Sequence, residues 1–212
     1  MPKPKNSKSD APDTRTRALD AAERLFDEKG VDGTSLQQIA DAIGIRAPSL
    51  LHHFESKEQL LEEVITRLLM RTRDEAVEAM LSHDAAADRF SAVVEVVRRM
   101  AHQHPRLVRV IMSEAMQQNS VALTPIALVM VPMLDKIERS LRGATSLPAD
   151  APVRGILLTF LAVTVVRFCL GELGDRLWAD DDPAEELLAL LLAGLEQRGR
   201  SPRAVTPGSK PT

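Results

Sequence analysis

Apolar residues recur every three or four positions along most of the chain, which is the spacing of amphipathic helices. The first such segment covers residues 14–29 and stops at Gly30, a residue type that commonly ends helices. Its apolar face consists of Ala18, Leu19, Ala22, Leu25 and Phe26. We find no convincing strand pattern and no internal repeat. The pattern therefore predicts an all-α protein.

Two short helical segments follow directly. Thr34 and Gln37 have the spacing of a capping box, which predicts that the second helix begins there, and Gly44 ends it. The third helix carries Pro48 in its first turn, where the missing N–H does no harm. Because only about three residues separate these two helices, the segment is predicted to be a helix-turn-helix.

The rest of the chain predicts longer helices. Ser56 and Gln59 repeat the capping-box spacing and open a long helix that runs towards Met80. Further amphipathic helices are predicted near residues 85–103, 105–119, 123–143, 152–177 and 183–198.

The composition agrees with helix-on-helix packing, and the overall charge is uninformative. Apolar residues make up 44% of the chain, with one Trp and no Tyr. The net charge is −3, and residues 1–57 hold nine Lys or Arg against nine Asp or Glu, so any surface for nucleic acid must be local. The single Cys169 and a polar N-terminus without the apolar segment of a secretory signal predict a cytoplasmic protein.

One predicted helix, residues 152–177, is apolar around its whole circumference. Arg167 interrupts it, leaving an apolar stretch too short for a bilayer, so we expect no membrane contact. Such a helix must be buried on more than one face, and a homodimer achieves this by placing one face against the partner. The predicted interface residues are Leu157, Leu161, Val165, Leu188, Leu191, Leu192 and Leu195.

The third helix carries residues suited to reading DNA. In a helix-turn-helix, the N-terminal residues of the second helix of the motif meet base edges in the major groove. Arg46 can donate to guanine O6 and N7, and Ser49 can reach a base edge or a phosphate. Leu50 and Phe54 are four apart and are predicted to face inward.

Phosphate contacts are predicted around these base-reading positions. His52 and His53 offer ring N–H groups to phosphate oxygens. Lys57 stands at a helix N-terminus, where the ammonium and the free N–H groups favour the same anion. Thr34 and Ser35 are expected to contribute in the same way at the start of the preceding helix.

The segment TRALDAAERLFDEKGVDGTSLQQIADAIGIRAPSLLHHFESKEQLLEEV resembles the DNA-binding domain of the tetracycline-repressor (TetR) family of bacterial regulators. The residues that carry the resemblance are Ala21, Ala22, Leu25, Phe26, Gly30, Thr34, Ile39, Ala40, Gly44, Leu50, His53, Phe54, Lys57 and Leu60. The resemblance fades after roughly residue 70. It implies a homodimeric regulator, most often a repressor, that binds a palindromic operator and is released by a small molecule in its C-terminal domain.

The resemblance also implies roles for residues. The backbone contacts would be Lys57, His52 and His53, and the base-reading or base-proximal positions would be Gln37, Arg46, Ala47, Pro48 and Ser49. Leu51 departs from the family, which usually has at this position a Tyr that contacts a phosphate. The implied organisation is a disordered basic arm (1–12), a helix-turn-helix domain (13–58), a helical regulatory and dimerisation domain (59–198) and a disordered tail (199–212).

A ligand pocket is harder to locate in the sequence. The candidates are Met100, Arg109, Met112, Met116, Met130, Met133, Phe160, Arg167 and Phe168. Met and Phe side chains suit an adaptable apolar pocket, although each of them is also expected in an ordinary core. We expect a small apolar effector.

Other interpretations remain open at this point. An activator, or a regulator without a ligand, would have the same sequence features. A helical enzyme or carrier with a vestigial helix-turn-helix is a further alternative, but we find no nucleophile–base set, phosphate loop or metal spacing. The adjacent His52 and His53 point about 100° apart on a helix and cannot share a metal. We therefore expect no catalytic residue, no metal and no cofactor.

The basic N-terminus allows two interpretations. Lys3, Lys5, Lys8, Arg15 and Arg17 could reach a DNA groove as a flexible arm, or they could form a solubilising tail.

Overall fold

The computed structural model describes residues 13–84, 86–117, 122–144 and 150–178, and these residues form helices and their connections without a strand. The helices are α1 (Thr14–Lys29), α2 (Leu36–Ala42), α3 (Ala47–Leu51), α4 (Lys57–Leu81), α5 (Ala86–Gln103), α6 (Pro105–Ala115), α7 (Leu123–Ala144), α8 (Val153–Leu170) and α9 (Glu172–Trp178). The predicted all-α class is confirmed. The predicted helix 183–198 and both terminal segments lie outside the described residues.

Of the two predicted helix caps, that of α2 is shifted by one residue and that of α4 is confirmed. The capping box of α2 was predicted one residue too early, because Ser35 and Gln38 form it rather than Thr34 and Gln37. The Ser35 hydroxyl accepts from the Gln38 backbone N–H at 3.2 Å, and the Gln38 side chain accepts from Ser35 N–H at 2.9 Å. At α4 the predicted Ser56 cap is confirmed, since its hydroxyl accepts from Gln59 N–H at 3.1 Å.

The predicted helix 152–177 is two helices. Gly171 has φ of 55°, a left-handed conformation that ends α8 before α9 begins. Within α7, Pro132 lies inside the helix, where it lacks the N–H that would bond the carbonyl of Leu128.

The chain forms two compact units that do not follow the order of the sequence. The first unit comprises the chain up to Leu69 together with His104–Ile126, so it holds α1–α3, the first half of α4, and α6. The second unit comprises Met70–Gln103 and the chain from Ala127 onwards. The boundary predicted after residue 58 lies in the first turn of α4, whereas the first unit continues to Leu69, in the middle of α4, and α6 belongs structurally with the helix-turn-helix.

The second unit is a helical bundle with one apolar core cluster drawn from α4, α5, α7 and α8. Its members are Ala76, Met80, Phe90, Val93, Val96, Met133, Leu134, Ile137, Leu141, Ala151, Val153, Leu157 and Phe160. Phe90 and Phe160 pack edge to face with centroids 5.2 Å apart, which joins α5 to α8.

A charged cluster joins α7 to α8 at the edge of this core. Arg154 pairs with Asp135 and, at 3.1 Å, with Glu138, which also accepts from Arg142 at 3.0 Å. Hydrogen bonds from Arg142 and Arg154 lower the pKa of the Glu138 carboxyl, and bonds to Asp135 and Glu138 raise the pKa of Arg154. The cluster fixes the start of α8 on α7.

The helix α8 has an apolar face towards the core and a second apolar face that is exposed. Leu157 belongs to the core cluster and is buried, so its predicted place in a dimer interface is wrong. The exposed face consists of Leu158, Ala162, Val166 and Leu170, which recur every four residues; we call them the α8 stripe. Leu161 and Val165 are half-buried beside it. The length and composition of α8 would also suit a membrane span, although Arg167 lies in its last turn.

Candidate DNA-binding site

Two arginines of helix α1 bond the helix-turn-helix and the start of α4. The guanidinium of Arg17 donates to the carbonyl of Ile43 at 2.5 Å, which satisfies a carbonyl at the C-terminal end of α2. Arg15 pairs with Glu63 of α4, and its guanidinium lies 5.0 Å from the centre of the Phe54 ring. Both arginines are therefore bound within the domain, so neither the flexible arm nor the solubilising tail describes them; Lys3, Lys5 and Lys8 lie outside the described residues.

The turn between α2 and α3 depends on Gly44. Its φ of 72° lies in the left-handed region, where a side chain would be strained. This conformation lets the Ile45 N–H donate to the Ala40 carbonyl at 3.0 Å, so that the chain turns out of α2 before α3 begins. Ile39 and Ile43 of α2 and Leu50 of α3 are buried beneath the turn.

The outer surface of α3 is built from short or donor-bearing side chains. Arg46 precedes the helix with an extended backbone (φ −87°, ψ 146°), and its side chain is exposed. Pro48, Ser49, His52 and His53 are also exposed, and Ala47 is half-buried. Leu50 and Phe54 face the core, as predicted. The guanidinium, hydroxyl and imidazole groups thus lie on one short, solvent-facing element.

Helix α2 adds exposed polar groups beside this surface. Gln37 is exposed and its amide donates to the Asp41 carboxylate at 2.7 Å, which holds the amide against the helix. Ser35 is exposed at the start of α2, where its hydroxyl is already engaged in the capping box. The Ser35 hydroxyl also donates to the Gln38 side-chain oxygen at 3.3 Å, so the first N–H groups of α2 remain the groups that suit an anion.

Thr34 does not belong to the exposed surface. Its side chain is buried, and its hydroxyl donates to the carbonyls of Gly30 at 2.8 Å and Leu25 at 3.2 Å. These bonds tie the end of α1 to the start of α2. We therefore withdraw the predicted DNA contact through the Thr34 side chain.

Lys57 is also committed to the fold. Its ammonium donates to the carbonyls of Val31 at 3.0 Å and Thr34 at 3.4 Å, so two of its three donors hold the connection between α1 and α2. The N-terminus of α4 already has a carboxylate near it, that of Glu58. Hydrogen bonds from the Glu58 backbone N–H and from the Ser56 hydroxyl lower the pKa of this carboxyl. The geometry therefore gives Lys57 a positioning role instead of the predicted phosphate contact.

Comparison with known proteins identifies this arrangement. The family described as bacterial regulatory proteins of the tetR family matches residues 18–64, which contain α2, α3 and the start of α4. Residues 18–64 thus resemble the DNA-binding domain of TetR-family regulators.

Individual relatives agree with this assignment over the same region. The transcriptional repressor KstR2 of Rhodococcus jostii is 43% identical over 68 residues, which are 32% of this chain and 33% of that protein. The regulator BetI of Rhizobium meliloti is 38% identical over 98 residues, 46% of this chain and 48% of BetI. The matches to these two HTH-type regulators thus span a third to about half of their lengths.

The TetR-like fold extends over most of the chain. The crystal structure of the regulator FadR from Bacillus subtilis in complex with stearoyl-CoA superposes with a TM-score of 0.65 and covers 84% of this chain and 98% of that one. The sequence identity is 18%, so the similarity concerns the fold. The helical C-terminal part predicted beside the helix-turn-helix is thereby confirmed.

Helix α6 is attached to α1 by a helix cap that α1 supplies. One carboxylate oxygen of Asp27 accepts from the backbone N–H groups of Arg106 at 3.1 Å and Leu107 at 3.2 Å, the first free donors of α6. The Arg106 side chain donates to the carbonyl of Glu28. Pro105 opens α6 and needs no such acceptor.

Replacing this cap is expected to loosen α6. We expect Asp27→Ala to lower the free energy of unfolding by about 1 kcal/mol, the usual cost of losing a capping acceptor. Asp27→Asn keeps an acceptor oxygen and should cost much less. Urea unfolding measures both, and an Asn variant as unstable as the Ala variant would show that the charge, and not the capping bond, matters.

A second junction joins α4 to α1. Arg67 bonds Asp20 and Glu23, each at 2.7 Å, and Glu23 lies 3.8 Å from the His104 ring nitrogen at the start of α6. Burial lowers the pKa of Arg67, but the bonds to Glu23 and Asp20 outweigh it, so that the pKa is raised and the charge stays fixed. Sequence periodicity gave no sign of these pairs, because the partners lie more than 40 residues apart.

The predicted pocket residues divide between the two units. Met133 and Phe160 belong to the core cluster of the second unit and Met130 packs against it. Phe168 lies near the other end of α8 and stacks edge to face on His102 at 4.5 Å, while Met100 and Arg167 are half-buried in the same unit.

The α6 candidates belong to the first unit. Arg109 is exposed, Met112 is half-buried and Met116 is 78% exposed. An exposed Met and an exposed Arg do not line an apolar interior, so we keep only the residues of the second unit as pocket candidates.

Proposed function

We propose that this protein is a homodimeric transcriptional repressor that binds a palindromic operator and releases it when a small molecule binds. The observation that carries the proposal is the exposed surface of α3, where Arg46, Ser49 and His52 offer donors on the helix after the turn. Such donors suit base edges and phosphates in the major groove. The TetR-family match and the repressor KstR2 among the relatives support DNA binding and repression.

The proposed interface comprises the exposed polar and small residues of α2 and α3. Its members are Ser35, Gln37, Arg46, Ala47, Pro48, Ser49, His52 and His53. Arg46 reads a base, because its forked guanidinium matches guanine O6 and N7. The histidines at the far end of α3 contact phosphates, which set the register without reading sequence.

Binding to the DNA upstream of the chain's own gene tests this proposal. We expect saturable binding, measured by fluorescence anisotropy, that survives an excess of scrambled DNA and weakens linearly in log K with log salt concentration. Equal affinity for upstream and scrambled DNA at every salt concentration would contradict a sequence-specific regulator.

The dimer that the proposal requires is supported by the α8 stripe. Leu158, Val166 and Leu170 are exposed in a single chain, and Leu173 of α9 is exposed as well. An apolar surface of this extent is suited to a two-fold helical interface, in which the same residues of both subunits meet. A two-fold dimer presents two copies of α3 to the two halves of a palindrome.

The effector that we propose is a small apolar molecule bound in the second unit. The Met and Phe residues of the core cluster, with Met130 beside them, support an adaptable apolar site. FadR, a protein of the same fold, binds stearoyl-CoA. The chain passes from the first unit into the second within α4 and returns to the first before α6, so movement of the bundle would reach α1 through Arg67 and Asp27.

Stearoyl-CoA is the first probe for this effector site. We expect it to raise the melting temperature and to weaken binding to upstream DNA, since a ligand of the native state stabilises it. Free coenzyme A is the matched control and should do neither. An equal effect of free coenzyme A would contradict an apolar effector, and no effect of acyl chains of any length would favour regulation without such a ligand.

Activation instead of repression would use the same DNA-binding surface. Transcription from the upstream promoter distinguishes the two, because deleting a repressor raises it and deleting an activator lowers it.

A further inference from the structure

Leu51 is a large apolar residue on the exposed side of the proposed reading helix. It is 47% exposed, while its neighbour Leu50 is fully buried beneath it. Its place in α3 lies three residues after Pro48, which is exposed, and four after Ala47, which is half-buried. Side chains at these spacings are neighbours on a helix surface, so the three residues form one small apolar patch.

This patch is continuous with the proposed DNA interface. Arg46 and Ser49 flank it at the N-terminal end of α3 and His52 follows it directly, all of them exposed. An apolar side chain at this position cannot accept or donate a hydrogen bond, so it cannot replace the phosphate contact that a Tyr hydroxyl makes. The major groove offers one apolar group on its base edges, the C5-methyl group of thymine.

We propose that Leu51 recognises a thymine by contacting its C5-methyl group, and that Pro48 packs beside the same methyl group. The proposal rests on the function proposed above. Contact between a thymine methyl group and an apolar side chain removes apolar surface of both from water, which favours binding. A cytosine or uracil at the same place lacks the methyl group, so the Leu51 side chain would face a void or a polar edge. Leu51 is thus a specificity residue, not a phosphate contact.

The patch also predicts where the thymine lies. Arg46 and Leu51 are five residues apart, which corresponds to about 7.5 Å along a helix axis. That distance equals about two base-pair steps of B-DNA. Since α3 can be inclined to the DNA axis, this distance is an upper limit, and each half-site should contain a guanine for Arg46 and a thymine within about three base pairs of it.

Replacing thymine by uracil tests the contact, because the two bases differ only in the methyl group. An operator is first selected with the wild-type dimer, and each thymine of both half-sites is then replaced by uracil in turn. We expect one symmetric position at which the replacement weakens binding about fourfold for each half-site, the effect of one buried methyl-sized group. The other thymines should show less than a twofold change.

Variants of the protein assign this penalty to Leu51. Leu51→Ala should bind the thymine and uracil operators equally, and Leu51→Met, which keeps an apolar side chain, should retain the preference. Arg46→Ala should keep the uracil penalty although it loses affinity. Leu81→Ala is the matched control, since Leu81 is another exposed leucine, 63% accessible on α4, outside the proposed interface.

Three results would overturn the proposal while leaving operator binding intact. The first is a wild-type protein for which no uracil replacement matters. The second is a uracil penalty that persists in Leu51→Ala. The third is a Leu51→Ala variant that weakens every DNA equally, which would place Leu51 against the sugar-phosphate backbone. Failure of the wild type to select any operator would instead refute the proposed function itself.

Discussion

Arg46→Ala should abolish most of the preference for the operator while leaving the fold intact. A bidentate contact between an arginine and a guanine contributes about 1–3 kcal/mol of discrimination, so each half-site should lose about 5- to 150-fold in affinity. The side chain is exposed at the start of α3, and its removal takes away no core contact. Anisotropy titrations with the selected operator and with variants at the guanine position measure the effect.

The control for this variant is Arg98→Ala. Arg98 is an exposed arginine of α5 whose carboxylate partner, Glu95, lies on the same helix, an arrangement that contributes little to stability. We expect Arg98→Ala to bind the operator like the wild type. Because Arg46 reads a base rather than a phosphate, its loss should leave the salt slope of binding nearly unchanged. A reduced slope with unchanged base preference would assign Arg46 to the backbone instead.

Charges in the α8 stripe should separate the dimer. In Leu158→Glu/Val166→Glu, each subunit would bury two carboxylates against the partner, at an expected cost of several kcal/mol. We therefore expect the dimer dissociation constant to rise at least about 100-fold and operator affinity to fall with it, because one subunit reads only one half-site. Sedimentation equilibrium measures the first effect and anisotropy the second.

Both substituted residues are exposed in the single chain, so the subunit itself should stay folded, which circular dichroism checks. Leu128→Glu is the matched control, because Leu128 is 68% exposed on α7 outside the stripe. A double variant that remains dimeric, or a control that dissociates as readily, would refute the assignment of the interface to this stripe.

The helix boundaries were largely predictable because their signals are local. The helix from residue 14 to 29 has the predicted bounds and its glycine stop, and Ser56 caps α4 as expected. The capping box of α2 was misplaced by one residue, since Thr34 and Ser35 are both capping types and only tertiary packing directs the Thr34 hydroxyl inward.

The roles of charged residues were harder to predict because their partners are distant in sequence. Lys57 was predicted to meet a phosphate, yet it bonds carbonyls more than 20 residues away. Arg15 and Arg17 were assigned either to a flexible arm or to a solubilising tail, yet they bond α4 and the end of α2. The attachment of α6 to α1 through Asp27 has no signature in the sequence, because a capping acceptor supplied by another helix follows no local spacing.

Hydroxyl-radical footprinting on the upstream DNA distinguishes a two-fold operator complex from non-specific DNA binding. We expect two protected, inverted half-sites whose centres are one helical turn or a multiple of it apart, and loss of both with Arg46→Ala. Uniform weak protection along the DNA, a single unrepeated half-site, or an unchanged footprint with Arg46→Ala would contradict it.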